Sequence, residues 1–154
     1  MPPVHLTVPH IQQQWPGECL AACAEMILTY LAIPVRHKRL LKLLRVKSGV
    51  GAPAANIRHL EQLNLEVIYQ QGSFDELYDH LRQGRPCIAF IKTGELSYWD
   101  EAVNHAVVVV GLDDQFIYVN DPAFPDAPIQ VERGEFDLAW LEWDEFYAAF
   151  IRRG

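Results

Sequence analysis

The sequence predicts an α+β fold, with helices in the first part of the chain and an antiparallel sheet in the second. Three observations favour this class. Residues 19–63 carry apolar side chains at intervals of three and four, as in helices that bury one face. Residues 65–153 contain short runs rich in valine, isoleucine and aromatic residues, which are typical of strands. Two of these runs flank the turn residues Asp113 and Asp114, a pattern that predicts a β-hairpin.

The length and composition of the chain are those of a globular domain. With 154 residues, of which 50% are hydrophobic and 21% charged, we expect a single domain spanning residues 1–154. The net charge of −7 argues against nucleic acid as the main partner, because phosphate binding needs clustered lysine and arginine. One basic cluster, residues 36–47, interleaves with leucines at helical spacing. We interpret it as a solvated helix face in preference to an anion-binding surface.

No stretch approaches the ~18 consecutive apolar residues that a membrane span needs, so we expect no membrane-spanning segment. The first ten residues lack the basic start and apolar core of a signal peptide. The three cysteines are an odd number at irregular positions, which is not a disulfide framework. Because free thiols fit a reducing compartment, we expect a cytoplasmic protein, whose oligomeric state the sequence leaves open.

The predicted helices follow an extended segment, residues 1–13, in which three prolines discourage helix. Apolar spacing predicts the first helix from Cys19 to about residue 31, after a Pro-Gly pair and before a proline. Two more helices are expected at 36–46 and about 54–63, separated by a glycine-containing loop.

The predicted strands are short and apolar. They cover residues 65–70, 86–92, 105–112, 115–121, 128–132 and 145–153. A helix at 73–84 begins at Ser73, with Glu76 three positions later, as in a capping box. Residues 134–143 are expected to form a helix or a turn.

Two of the three cysteines, Cys19 and Cys23, lie four residues apart at the start of the first helix. A zinc pair would need a second pair of cysteines or histidines at similar spacing, which the sequence lacks, so we expect no metal. Cys23 is expected to be a buried, inert core residue. Cys19 lies in the first turn, where aligned peptide dipoles stabilise a thiolate, so it is either a nucleophile or a small core residue.

Catalysis by a thiol also requires a base. His105 begins a strand of four valines, whose rigid backbone suits a general base. Antiparallel pairing across the turn would bring Asp121 close to His105, where a carboxylate orients the imidazole. The alternative is a histidine that merely begins a strand and an Asp-Pro turn. The other histidines are expected in loops or on polar helix faces: His5, His10, His37, His59 and His80.

The developing oxyanion requires a donor, and three glutamines stand just before the nucleophile: Gln12, Gln13 and Gln14. A glutamine amide could act together with the Cys19 backbone N–H. The residues alone leave the choice among the three open.

These segments together resemble the papain-like cysteine peptidases. The resemblance is closest to the branch that contains the bacteriocin-processing, double-glycine leader peptidases and their stand-alone relatives. The matching segments are Gln13 with Glu18-Cys19 and Cys23, GRPCIAFI at 84–91, HAVVVVG at 105–111 and VNDP at 119–122. Their order and spacing agree with the family over nearly the whole chain.

The resemblance implies a papain-like fold and a role for each matching residue. Cys19 corresponds to the nucleophile, His105 to the base, Asp121 to the orienting acid and Gln13 to the oxyanion residue. It also implies a peptide or protein substrate and no cofactor. In one departure, Leu20 follows the nucleophile where the family usually has glycine, and we expect it to narrow the cleft or change specificity.

We therefore predict a cysteine peptidase that cleaves an amide bond through a thioester, and two alternatives stay open. In the first, an amine resolves the thioester, giving an amidase or transglutaminase-like transferase. In the second, the chain is a catalytically silent papain-like binding module. Its contact surface would be the aromatic residues near the C-terminus: Trp140, Trp143, Phe146 and Tyr147.

Overall fold

A computed structural model describes residues 1–154 as helices packed on a seven-stranded sheet. The α-helices are α1 (Cys19–Tyr30), α2 (His37–Leu43), α3 (Phe74–Arg82) and α4 (Arg133–Leu141). Two 3-10 helices cover Ala54–Leu63 and Thr93–Glu95. The strands are β1 (Val4–His5), β2 (Leu65–Gln71), β3 (Cys87–Lys92), β4 (Asn104–Leu112), β5 (Phe116–Asn120), β6 (Ile129–Glu132) and β7 (Phe146–Arg152). The predicted α+β class is confirmed. That the chain forms one domain stays a prediction.

The sheet is antiparallel throughout, in the order β2-β7-β3-β4-β5-β6, with β1 pairing on β4. The predicted hairpin is confirmed, because β4 pairs with β5 across a turn at Asp113. The Asp113 carboxylate accepts hydrogen bonds from the N–H groups of Gln115 and Phe116, which fixes this turn. The β4–β5 ladder ends where Val108 lies opposite Asn120, the last residue of β5.

The sheet separates two apolar cores, and this explains the unbroken valine run in β4. Ala106, Val108 and Val110 pack on the side of α1, while Val107 and Val109 pack on the side of α3 and α4. A strand buried on both faces has apolar residues at every position, so it shows no alternation in sequence. The longest α-helix has 12 residues, and none of the helices meets the length and hydropathy required to cross a membrane.

The start of α1 is fixed by a close backbone contact. Gly17 has φ of +85°, and a Cβ at this position would lie 2.7 Å from the backbone nitrogen of Gly51. Only glycine accommodates both the left-handed conformation and this approach. The Pro-Gly turn therefore packs against the 47–51 loop and positions Cys19 as the first residue of α1.

Two predicted helices differ from those observed. Helix α2 is shorter than the expected 36–46, because Arg45 adopts a left-handed conformation with φ of 54° directly after its C-cap. The segment 54–63 is a 3-10 helix that follows Pro53 and ends at Asn64, also left-handed. The 134–143 segment, left as a helix or a turn by its sequence, contains α4.

His80 does not lie on a polar helix face, as expected from its charged neighbours. It is 9% exposed, and its Nδ1 accepts a hydrogen bond from Arg85 Nε at 3.0 Å. Nε2 therefore carries the proton and donates to the Tyr147 hydroxyl, also at 3.0 Å. Burial, followed by the Arg85 charge, lowers the pKa of His80, so it is a neutral structural residue.

The C-terminal aromatic residues are not the exposed contact surface that the binding-module alternative invoked. Trp140 and Tyr147 are 0% and 1% exposed, and both lie in the core beneath α4. Trp143 and Phe146 are half-buried against the other core. That expectation is therefore wrong, and the silent-module alternative depends only on Leu20.

Candidate active site

The three cysteines are free and differ in their access to solvent. Cys19, at the start of α1, is partly exposed, whereas Cys23 and Cys87 are 0% exposed. Burial, followed by the charges of Cys19 and Asp121, raises the pKa of Cys23 well above its usual value. Burial also raises the pKa of Cys87. The predicted burial of Cys23 is confirmed, and Cys19 is the one thiol of the three that solvent reaches.

The first turn of α1 leaves a backbone donor available beside this thiol. The Cys19 N–H makes no backbone hydrogen bond, while Glu18 N–H bonds to the Trp15 carbonyl at 3.3 Å. Such unpaired N–H groups at a helix N-terminus bind anionic oxygen. The arrangement therefore provides one donor for an anionic oxygen bound next to the sulfur.

His105 and Asp121 form a short, buried hydrogen bond at the end of the β4–β5 ladder. His105 Nε2 lies 2.7 Å from Asp121 Oδ1, and the two side chains are 5% and 0% exposed. Asp121 directly follows Asn120, the last residue of β5, so the antiparallel pairing brings its carboxylate back to the start of β4. The structure thus brings together these two residues, as the hairpin predicted.

The Cys19 thiol lies near enough to act on the pKa of His105. Burial lowers this pKa, but the hydrogen bond to Asp121, the nearby Cys19 thiol and the charges of both groups raise it to about 9. Because Asp121 occupies Nε2, it is Nδ1 that remains for the sulfur. The folded-state pKa lies above the ordinary value, so these interactions stabilise the fold fully below pH ~6.5, and this stabilisation is lost as the pH rises through about 9.

The Asp121 carboxylate accepts four hydrogen bonds. Besides His105, it accepts from the Tyr98 hydroxyl at 2.7 Å, Trp99 Nε1 at 3.0 Å and the Ala123 N–H at 2.9 Å. Burial alone would raise the pKa of Asp121, but the hydrogen bonds and the charge of His105 lower it. This fully buried carboxylate is therefore held ionised, with its charge compensated by donors.

Tyr98 and Trp99 are site residues that the sequence analysis did not identify. The Trp99 ring stands edge-on to His105, with centroids 4.9 Å apart, and packs against Phe124 at 5.2 Å. These rings cover the His105–Asp121 bond and keep water from it. Burial, followed by the charge and hydrogen bond of Asp121, raises the pKa of Tyr98 well above its usual value, so its hydroxyl keeps the proton it donates.

The connection that carries these two aromatic residues is itself anchored. The Thr93 hydroxyl accepts a hydrogen bond from the Val103 N–H at 2.9 Å, and the Thr93 N–H donates to the Val103 carbonyl. Ser97 donates to the Glu135 carboxylate of α4 through its N–H and its hydroxyl, at 3.2 and 3.1 Å. In the sequence, the adjacent large aromatic residues Tyr98 and Trp99, in an otherwise polar stretch between two strands, are the only indication of these contacts.

Of the three glutamines before α1, Gln13 is the half-buried one, and Gln12 and Gln14 are exposed. The Gln13 N–H donates to the Pro122 carbonyl at 2.8 Å, which ties its segment to the residue after Asp121. Its side-chain Nε2 donates to the Trp15 carbonyl at 3.2 Å, and its Oε1 is buried without a partner. No hydrogen bond joins the Gln13 amide to Cys19.

Leu20, the departure from the family pattern, is 4% exposed and packs into the core on the α1 side. Its side chain offers little surface to a substrate. An effect of Leu20 on the cleft or on specificity stays a prediction.

Glu18, the acidic residue directly before Cys19, contacts a histidine. Glu18 Oε1 lies 3.2 Å from His37 Nε2, and Glu25 Oε2 lies 3.5 Å from His37 Nδ1. His37 is the first residue of α2, so this contact ties α2 to the start of α1. No group of three or more histidine, cysteine, aspartate or glutamate side chains is arranged to hold a metal ion.

Comparisons with known proteins agree with the fold. The model of the Peptidase_C39 like family matches residues 5–147. A protein described as a C39-like peptidase from Bacillus anthracis superposes with a TM-score of 0.82 at 18% identity, with 100% of each chain covered. No curated protein matches the chain significantly in sequence.

Two peptidases of transporters share the fold as well. The double glycine motif protease of an AMS/PCAT transporter, solved with its leader peptide, has a TM-score of 0.71 at 24% identity over 96% of both chains. The peptidase domain of Streptococcus ComA, a bifunctional ABC transporter of a quorum-sensing pathway, has a TM-score of 0.76 at 14% identity, covering 96% of this chain and 100% of that one. The predicted papain-like fold is confirmed.

The different environments of the three thiols predict selective alkylation. With iodoacetamide at neutral pH, we expect Cys19 to be labelled much faster than Cys23 or Cys87, because both of these are 0% exposed. Mass spectrometry of the digested protein measures the label at each position. In the control variant Cys19→Ala, the folded protein should take up almost none. Equal labelling of the three thiols would contradict the assignment of Cys19 as the accessible thiol.

Proposed function

Because the chain belongs to the Peptidase_C39 like family, we propose that it is a cysteine peptidase that hydrolyses a peptide bond with Cys19, His105 and Asp121. The observation that carries the proposal is the buried 2.7 Å bond between His105 Nε2 and Asp121 Oδ1. It leaves the other ring nitrogen for the Cys19 thiol, which also raises the pKa of His105. A thiol, an oriented imidazole and a buried carboxylate are the parts that thiol-dependent acyl transfer needs.

The first half of the reaction forms a thioester. His105 takes the proton of the Cys19 thiol, and the sulfur attacks the carbonyl carbon of the substrate, so that an S–C bond forms and the carbonyl oxygen becomes an oxyanion. When this tetrahedral intermediate collapses, the C–N bond breaks. The imidazolium then gives its proton to the leaving amine, and the acyl group stays on Cys19.

The second half hydrolyses the thioester. Neutral His105 takes a proton from water as the water oxygen attacks the thioester carbon. The C–S bond then breaks, the imidazolium returns its proton to the Cys19 sulfur, and the product leaves as a carboxylic acid. Asp121 remains ionised throughout and keeps the ring oriented, because Tyr98 and Trp99 donate to its second oxygen.

We assign the oxyanion donors to the Cys19 N–H and the Gln13 side-chain amide. The Cys19 N–H has no backbone partner, and Gln13 is tied by its own N–H to the carbonyl of Pro122. To act as a donor, the Gln13 amide must exchange its bond to the Trp15 carbonyl for one to the substrate. A rotation of one side chain would suffice, because its backbone is already anchored next to Asp121.

The substrate that we propose is a peptide, and residues 1–154 act as one catalytic domain. A related structure is a double glycine motif protease in complex with a leader peptide. A peptide in which a leader with a Gly-Gly pair at its end is followed by further residues is therefore the first substrate to test. The three free thiols fit a reducing compartment, and we place the enzyme in the cytoplasm.

We expect the wild-type chain to cleave such a leader peptide and Cys19→Ala to lose at least ~10⁴-fold in kcat/KM, because no other group replaces the nucleophile. Mass spectrometry of the products measures the cleavage. The matched control is Cys23→Ala, one helical turn away, which should retain activity. Cleavage by Cys19→Ala at the wild-type rate would rule out the mechanism. A product that contains an added amine in place of water would indicate the transferase.

The assignment of Gln13 as an oxyanion donor can be tested with its neighbours Gln12 and Gln14 as matched controls. Gln13→Ala should lower kcat by about 10²–10³-fold, the usual cost of removing one oxyanion donor. Gln12→Ala and Gln14→Ala should remain near the wild-type rate, because both side chains are exposed. Steady-state kinetics on the same peptide measure all three. Equal rates for Gln13→Ala and Gln12→Ala would show that Gln13 does not bind the oxyanion.

A further inference from the structure

The positive charge of the molecule is concentrated in one segment, residues 26–60. This segment contains seven of the thirteen lysines and arginines and none of the twenty carboxylates. Six of the seven cations lie within residues 36–47: Arg36, Lys38, Arg39, Lys42, Arg45 and Lys47. All six are exposed, as predicted, and none is paired with a carboxylate, which favours the anion-binding alternative over a merely solvated helix face. Only Lys38, Arg39 and Lys42 lie within α2. Their charges are therefore available to an external partner.

Part of this surface is concave. Arg39, Lys42 and Arg45 line a recess of about 230 Å³ between α2 and the 3-10 helix, together with His59 and Gln62. We call this site the basic recess. A guanidinium group binds a carboxylate through two parallel hydrogen bonds, and an ammonium group adds charge without a geometric requirement. The size and the donors of the basic recess fit one or two carboxylate side chains.

The basic recess is connected to the proposed active site through His37. This residue begins α2 and contacts Glu18, the residue directly before Cys19. Lys42 follows five residues later on the same helix, at a rise of about 1.5 Å per residue. An extended peptide advances about 3.3 Å per residue. The rise along α2 from His37 to Lys42 therefore corresponds to only about two or three extended peptide residues.

We propose that the basic recess binds acidic side chains of the peptide substrate at a distance from the scissile bond. This inference rests on the proposed function and specifies that the peptide substrate carries acidic side chains. Because most of the remaining surface is acidic, a peptide with glutamate or aspartate is repelled elsewhere and attracted to this one face. The surface would thereby set both the orientation and the selection of the peptide.

Two other anionic partners fit the structure less well. A helix that enters a lipid surface needs a free apolar face, but Leu40 and Leu44 are 0% exposed and belong to the core. A nucleic acid presents repeated phosphates over a long surface, and the acidic remainder of the molecule would repel it. A short acidic peptide needs neither an apolar face nor a long basic surface.

The test measures binding without cleavage. The protein is the full chain carrying Cys19→Ala, and the probes are a fluorescein-labelled glutamate-rich peptide that ends in Gly-Gly and its glutamine counterpart. By fluorescence anisotropy, we expect the glutamate peptide to bind about tenfold more tightly, and added salt to remove the difference. The triple change Arg39→Gln, Lys42→Gln and Arg45→Gln should abolish the preference.

The matched control makes the same change in charge elsewhere, through Arg82→Gln, Lys92→Gln and Arg153→Gln, all exposed positions outside the segment. This variant should keep the preference. The proposal is overturned if both peptides bind alike, if the control loses as much as the recess variant, or if the recess changes abolish binding to phosphatidylglycerol vesicles or DNA but not to the peptide. Because the assay uses an inactive chain, a failure to cleave leader peptides would leave its result unaffected.

Discussion

The hydrogen bond between His105 and Asp121 is the constraint on which the candidate site depends. It joins the start of β4 to the residue after β5, and both side chains are almost fully withdrawn from water. A buried carboxylate is costly unless donors surround it, and here Tyr98, Trp99 and the Ala123 N–H supply them. The same donors that stabilise the charge also prevent the imidazole from turning away. The hydrogen bonds that stabilise this part of the fold therefore also orient the imidazole.

Three separate parts of the chain converge on this pair. The segment before α1 bonds to the Pro122 carbonyl through the Gln13 N–H, and α1 brings the Cys19 thiol to the ring. The connection between β3 and β4 supplies the aromatic cover. None of these contacts is local in sequence, so the site exists only when the sheet has formed. A change far from Cys19 that loosens the β4–β5 ladder would therefore disturb the base before it unfolds the core.

Sequence reasoning succeeded where local rules fix distant geometry. The Asp113 turn sets the hairpin register, and the register brings Asp121 to His105, so that this pair followed from the spacing alone. It failed where only tertiary packing decides. Trp99 lies in a polar connection without periodicity, and its bond to Asp121 depends on how that connection folds back over the sheet. His80 has charged neighbours in sequence, but its burial depends on Tyr147 of β7, which is 67 residues away and leaves no sequence signal near His80.

The titration of the His105 ring, followed by NMR in the folded protein, tests the central claim most directly. We expect a midpoint near pH 9, because Asp121 and Cys19 favour the imidazolium more strongly than burial opposes it. In Asp121→Asn the charge is lost and burial remains, so the midpoint should fall by more than one pH unit, while the fold is retained. A wild-type midpoint near the ordinary value of about 6.5, unchanged in Asp121→Asn, would contradict the account, since His105 would then be an imidazole that neither group controls.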